Sequence, residues 1–303
     1  MAGFGQNRHG PARAPARHIR LVVSDMDGTL LTSDQQVTGQ SLSAIRALER
    51  AGVPLCLVSS RPPGGMEMYF DQLGIRTPYG ALNGGTLFNP DRSIRSRLSL
   101  DPQTVLEALD MLERQNVDAW LFRGHDWLVR NAQDPLVLAE SRTVQTIPTQ
   151  VADLSTCVQN IGKVAGSTAN HAALQAQEAD IARKRAGRAC VALSSKGFLD
   201  ITPLHANKGH AVRQLADDYN ISVDEVACIG DMNNDIPMLS IAGLSIAMGQ
   251  ATPDVQACAH FVTSANTQEG WARAITDVVL PRTTPAGNIP HPSPATPGAP
   301  SPQ

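Results

Sequence analysis

Apolar positions along the chain come in short blocks separated by polar turns, and the spacing inside each block predicts an element. Residues 19–24 form a brief apolar run of the kind that fills a strand buried on both faces of a parallel sheet. From about Ser41, the residues Leu42, Ile45 and Leu48 recur at helical spacing, and Gly52 followed by Pro54 ends that helix. A second buried strand, 54–58, runs out at Ser59-Ser60-Arg61. The order strand, turn, helix, strand, turn predicts a doubly wound, mostly parallel α/β sheet. It returns late in the chain. A strand at 225–229 ends at Gly230-Asp231, residues 234–242 are helical with Pro237 in the first turn, and 244–248 are again a strand. Helices starting near Thr252-Pro253 and Glu269 complete this part.

The middle of the chain has a different rhythm. Residues 102–115 have a helical pattern, and 118–122 and 127–130 alternate around the turn 123–126 as a hairpin does. A helix over 169–185 then precedes a second hairpin, 190–194 and 198–202, turning at Ser195-Lys196-Gly197. Helix, strand, strand occurs twice without any repeat in sequence. The pattern predicts an α+β module over residues 86–203, inserted into an α/β core made of 18–85 and 204–281. Residues 1–17 read as a disordered arm. Residues 282–303, rich in Pro, Ala, Ser and Thr, carry too little apolar surface to offset ordering entropy and read as a disordered tail.

Composition narrows the function classes. A chain of 303 residues with 42% apolar and 17% charged positions is globular, and a formal net charge of −3 offers no field for nucleic acid or an anionic membrane. No apolar stretch approaches the length of a membrane span. Cys56, Cys157, Cys190, Cys228 and Cys258 are scattered without a C-x-x-C pair, which reads as thiols of a reducing cytoplasm. The expected partner is therefore a small molecule, and the expected state a monomer or small homo-oligomer.

The stretch SDMDGTL, at 24–30, places two carboxylates one residue apart where the first strand ends. An Asp-Gly turn accounts for it, and so does a phosphate site. Ligands of open parallel sheets bind beyond the carboxyl ends of the strands, and Asp25, Ser59 and Asp231 all fall at such ends. In the second reading Asp25 attacks phosphorus, which requires a divalent cation, with Mg2+ fitting an oxygen-only site. Asp27 would then give a proton to the leaving oxygen and take one from water. That role needs Asp27 protonated well above the ordinary carboxylate range, through burial near other carboxylates. In GDMNND, Asp231 supplies a second carboxylate for the metal, and Asp235 orients a metal ligand or water. Ser59 and the backbone of Ser60 can donate to phosphate, and Lys208 can neutralise it beside a helix N-terminus. His205 and His210 read as surface or packing residues. Trp120, Phe122 and Trp127 read as core packing, with Arg123, His125 and Asp126 at the hairpin turn placed to reach a substrate.

Taken in order, SDMDGTLL, LVSSRP, ALNGGTLF, LDITPLHANKG, CIGDMNNDIPML, IAMGQATPDV and TQEGWARAI resemble the haloacid dehalogenase superfamily of phosphatases, in its Cof-like branch with a large α+β cap. The resemblance spans residues 18–281 and implies a Rossmann-like core. It assigns the nucleophile to Asp25 and the acid/base to Asp27. It assigns metal binding to the carboxylates of Asp25 and Asp231 and the backbone carbonyl of Asp27, with Asp235 beside them. Phosphate contacts fall to Ser59, Ser60, Lys208, Asn234 and the backbone at Met26. Two positions depart from the pattern: Ser60 stands where glycine is usual and Gln250 where asparagine is usual. The expected activity is Mg2+-dependent hydrolysis of small phosphorylated metabolites, sugar phosphates foremost, through an aspartyl phosphate. A hexose phosphomutase or phosphotransferase is the alternative on the same fold, and a non-catalytic receiver-like phosphoprotein a third reading.

Overall fold

Five parallel strands form the predicted central sheet, in the order Phe261–Val262, Leu244–Ala247, Val226–Gly230, Leu21–Ser24, Leu55–Leu57. The computed structural model describes residues 11, 13–171, 174, 187–195 and 197–283. From Leu21–Ser24 the chain adds Leu55–Leu57 on one side and the later strands on the other. The strand order therefore reverses between Leu21–Ser24 and Val226–Gly230, and such a reversal opens a crevice beyond the strand ends. Register fixes where that crevice lies. Ser24 is level with Ile229 on one neighbour and Leu57 on the other, so Asp25, Asp231 and Ser59 leave the sheet at the same edge.

The strands are buried on both faces, and alternate residues feed two cores. Val22, Leu57, Ile229 and Ile246 pack with Leu48, Ile275 and Val279 on one face. Leu21, Val23, Cys56 and Cys228 pack with Val212, Leu215 and Leu239 on the other. The helix expected from about Ser41 runs Gly39–Arg50, with the Thr38 side chain accepting from the Ser41 N–H at its start. The segment expected as one helix over 234–242 is a tight turn, Asn233–Asp235, followed by the helix Ile236–Ile241. Residues 13–17, expected within a disordered arm, lie against the core. Ala16 N–H donates to the Gly243 carbonyl at 2.8 Å, and Arg13 pairs with Asp224 at 2.6 Å. Leu280–Arg282 forms a short turn whose Arg282 lies over the Phe261 ring; the rest of the expected tail, from 284, is outside the described residues.

Two further sheets occupy the middle of the chain, one antiparallel and one antiparallel except for the parallel pairing of Asp126–Val129 with Thr149–Gln150. Tyr79–Ala81, Thr86–Phe88 and Ile94–Arg97 form one, so the expected boundary at 85/86 falls inside a hairpin. After the helix Pro102–Glu113 comes a six-stranded sheet. Its order is Ala189–Ser195, Phe198–Pro203, Lys163–Ser167, Asp118–Arg123, Asp126–Val129, Thr149–Gln150. Both predicted hairpins are present in it, and Lys163–Ser167, which joins them, was not anticipated. The helix expected over 169–185 lies mostly outside the described residues.

Candidate active site

The chain leaves Leu21–Ser24 into a wide turn, Met26–Leu30, closed by Leu31 N–H on the buried Met26 carbonyl at 2.8 Å. Gly28 has φ of +73°, and a Cβ there would stand 2.3 Å from Asp231 Oδ2. Glycine is required on both counts, because the left-handed conformation penalises a side chain and the neighbouring carboxylate leaves no room for one. Thr29 then donates to Asp231 Oδ1 at 3.0 Å. The G and T of the motif thus hold Asp231 against the turn, while Trp271 anchors its root by donating to Ser24 Oγ at 2.9 Å.

Three carboxylates meet beside this turn. Asp25, Asp231 and Asp235 are buried, and each brings a carboxylate oxygen within 4.8 Å of the others'. Lys208 enters as the first residue of the helix Lys208–Asp218, whose start is capped by Asn207 accepting from His210 N–H at 2.9 Å. Its ammonium donates to Asp25 Oδ1 at 2.5 Å and Asp235 Oδ1 at 2.6 Å. The other oxygen of Asp235 accepts from the backbone N–H groups of Asp231 and Met232 at 2.8 and 2.9 Å. A Cβ at Gly230 would fall 2.5 Å from Asp235 Cγ, so this carboxylate is packed directly on the strand end.

Crowding of like charge marks the electrostatics. Burial, then Asp235, Asp231 and Asp27, push Asp25 well above the ordinary carboxylate range against the pull of Lys208. Burial and Asp235 push Asp231 up to about 6, opposed by Thr29, Lys208 and Gln250. Burial works against the Lys208 ammonium, yet Asp235 and Asp25 together raise its pKa above the usual lysine value. One cation facing three buried carboxylates leaves negative charge uncompensated.

Asp27 stands apart from this cluster, which corrects the expectation that it is buried among carboxylates. Its side chain is 44% exposed and forked by Arg61, with Nε to Oδ2 and Nη2 to Oδ1 both at 2.7 Å. Arg61 itself is only 6% exposed, held by the Gly65 carbonyl at 2.9 Å and lying over the Tyr69 ring. Ser59 is buried at the end of its strand, with Oγ accepting from Arg61 N–H at 3.2 Å. The Ser60 carbonyl accepts from Lys163 of the six-stranded sheet at 3.3 Å. Asn234 reaches Asn83 at 3.4 Å on the rim of the site.

A family model of haloacid dehalogenase-like hydrolases matches residues 22–275. The chain belongs to this family. Within it, this haloacid dehalogenase-like hydrolase is 29% identical over 279 residues to a putative phosphatase, YxeH, of Bacillus subtilis, covering 86% of this chain and 98% of the relative. It is 30% identical over 267 residues to the pyridoxal phosphate phosphatase YbhA of Escherichia coli, covering 84% and 97%. A haloacid dehalogenase-like hydrolase of Bacteroides thetaiotaomicron has the same fold, with a TM-score of 0.77 at 24% identity over 85% of this chain and 98% of that one. The Cof-like resemblance and the α/β core with an added antiparallel sheet are both borne out. The chain is a phosphoric monoester hydrolase of the superfamily.

The hydrolase's donor set suits a hard divalent cation. All three carboxylates offer oxygen, and the two that are pushed toward protonation, Asp25 and Asp231, are those whose charge a cation would stabilise. Asp235 has both oxygens engaged by Lys208 and backbone N–H groups, which suits it to holding the neighbours in place.

Sequence reasoning passed over Arg61, whose partner lies 34 positions away. It noted Gln250 only as a departure. In the structure Gln250 Nε2 donates to the Gly28 carbonyl at 2.6 Å, and its Oε1 accepts from Asn266 N–H at 3.1 Å, tying a distant loop to the turn. Of the hairpin-tip residues, Arg123 and Asp126 pair with each other at 3.0 Å and His125 docks on Glu67 at 2.8 Å, so none faces the carboxylate cluster. No helix among the described residues is long and apolar enough to cross a membrane.

Proposed function

We propose that the chain hydrolyses small phosphomonoesters with Mg2+ through a phosphorylated Asp25. The observation that carries this reading is the convergence of Asp25, Lys208, Asp231 and Asp235 from three separate segments on one strand-end crevice. Lys208 fixes one oxygen of Asp25, which orients the carboxylate for attack. As the bond from Asp25 to phosphorus forms, the bond to the alcohol oxygen breaks, and Asp27, turned from Arg61 and carrying a proton taken from solvent, gives that proton to the departing oxygen. Water then attacks the aspartyl phosphate, Asp27 takes its proton, and inorganic phosphate leaves with Asp25 restored. A Mg2+ ion held by Asp25, Asp231 and the Asp27 carbonyl would offset the charge of the phosphoryl oxygens. Ser59, the backbone of Ser60 and of Met26, Lys208 and Asn234 would bind those oxygens.

The substrate class is a small phosphorylated metabolite, sugar phosphates being the class that the family resemblance brings first. The name of the pyridoxal phosphate phosphatase relative extends the range to ring compounds. The test is release of inorganic phosphate from acetyl phosphate with Mg2+ and with a chelator. Asp25→Asn is expected to reduce turnover on the order of 10³-fold or more, since it removes the attacking group itself. A variant as active as the wild type would overturn the reading.

A further inference from the structure

Between the core and the six-stranded sheet lies a cavity of about 250 Å³ with Asp27, Ser60 and Arg61 along its floor. If Asp27 protonates the leaving oxygen, the leaving group occupies this space, so its roof sets specificity. This argument rests on the phosphatase reading above. Three adjacent strands build the roof. Trp120 is paired in register with Ala165, and Ala165 with Asp200, so the three side chains stand in a row on one face. The methyl group of Ala165 leaves a gap between an indole and a carboxylate. Phe198 closes the side of the gap, its ring centroid 5.1 Å from that of Trp120.

The donors of this roof are spent, while Gln35, Glu140 and Thr143 add polar groups to the wall. Lys163 donates to Asp200 Oδ2 at 3.2 Å and to the Ser60 carbonyl, and lies over the Phe122 ring. Trp120 Nε1 donates to Asp118 at 3.0 Å. Asp200 is 8% exposed, and its Oδ1 is buried without a hydrogen-bond partner among the described residues. An unsatisfied buried carboxylate oxygen is costly, and a ligand donor would satisfy it. Glu140, also on the cavity wall, has its pKa raised by burial, with Lys163 and Arg61 pulling the other way.

We infer that Asp200 is a specificity residue and that the cavity takes a phosphomonoester whose leaving group is a flat heteroaromatic ring carrying an N–H or O–H donor for Asp200 Oδ1. The ring stacks beside Trp120 and Phe198 over Ala165. A hexose of similar size would set part of its hydroxyls against the apolar side of the cavity, Trp120, Phe122, Val144, Ala165 and Phe198, where unpaired polar groups are penalised.

Steady-state kinetics on four probes test this. Pyridoxine 5′-phosphate carries ring donors, benzyl phosphate has a flat ring without them, glucose 6-phosphate is polyhydroxylated, and acetyl phosphate has almost no leaving-group bulk. In the wild type, kcat/KM is expected to fall in the order pyridoxine phosphate, benzyl phosphate, glucose 6-phosphate, with about tenfold or more between first and last. Asp200→Asn should lower the ratio of pyridoxine phosphate to benzyl phosphate at least ~10-fold, mainly through KM. Ala165→Leu, which fills the gap without touching a charge, should lower the ratio of both ring substrates to acetyl phosphate. Ratios are independent of the folded fraction. Preference for glucose 6-phosphate, or an Asp200→Asn variant that keeps the wild-type ratio, overturns the inference while hydrolysis of acetyl phosphate leaves the phosphatase reading standing. Failure to hydrolyse any of the four overturns both.

Discussion

Lys208 donates to Asp25 and Asp235 through one ammonium, and neither carboxylate has another ion-pair partner among the described residues. All three groups are buried, so solvent does little to screen what happens when one is removed. Lys208→Met keeps most of the side-chain volume but leaves two carboxylates uncompensated. The expected loss is ~3–5 kcal/mol of stability, the usual cost of breaking a buried pair on one side. A urea titration of the two proteins checks it. A midpoint shift worth less than about 1 kcal/mol would mean that the carboxylates had found protons or water instead. At this scale the sequence was informative where chemistry is local. The two aspartates, the glycine and the threonine of DMDGT sit within five positions, and a turn was enough to foresee that they act together. Arg61 was not foreseen, because its meaning depends on Asp27 arriving from another strand end.

The helix Lys208–Asp218 sets the position of Lys208, and Asn207 starts that helix. Its Oδ1 accepts from His210 N–H at 2.9 Å, satisfying one of the amides that a helix start leaves open. Asn207→Ala should cost about 1 kcal/mol of stability. It should also lower kcat, because Lys208 is the first residue the cap organises. Asn207→Asp keeps an acceptor at the same place and is expected to retain most of the stability in thermal melts. If Ala and Asp variants lose equally, the cap is not what orders the helix start. Elements of the core were legible because each strand is a continuous apolar run bounded by turn residues, and parallel strands buried on both faces have that signature. Lys163–Ser167 was not legible, although it is central to its sheet. Its five residues, KVAGS, carry a lysine and a glycine that disguise a buried strand. What makes the lysine belong there is Asp200, on the adjacent strand 37 positions away. The strands Tyr79–Ala81 and Phe261–Val262 were missed because two or three residues give no period to read and neither lies in a longer apolar run, as Leu55–Leu57 does.

Across the whole molecule, the hairpin Asp118–Val129 reaches back to the core through its tip. His125 Nε2 meets Glu67 Oε1 at 2.8 Å, and its ring packs on Phe88 at 4.9 Å between centroids. The Tyr79 hydroxyl donates to the same Glu67 oxygen, and Arg92 approaches the other at 3.6 Å. Glu67 therefore joins a short core helix, the strand Tyr79–Ala81, the turn at Arg92 between the other two strands of that sheet, and the hairpin tip. Burial raises its pKa, but the hydrogen bonds from His125 and Tyr79 and the charges of His125 and Arg92 outweigh burial and hold it below its ordinary value of 4.5. A carboxyl whose folded pKa is depressed adds stability that is complete above the unfolded value and disappears as pH falls through the folded one. Glu67→Gln keeps an acceptor for Tyr79 and removes the charge, with an amide NH2 in place of the oxygen that faces Arg92. At pH 7 the variant should be less stable by ~1–2 kcal/mol, or roughly 2–6 °C in Tm for a chain of this size. That gap should hold down to about pH 5 and narrow below 4.5, where wild-type Glu67 takes up its own proton. Thermal melts of both proteins from pH 3.5 to 7 measure it. A gap that widens in acid would reverse the sign and show that the hairpin tip is held by packing on Phe88, with the Glu67 charge working against the fold.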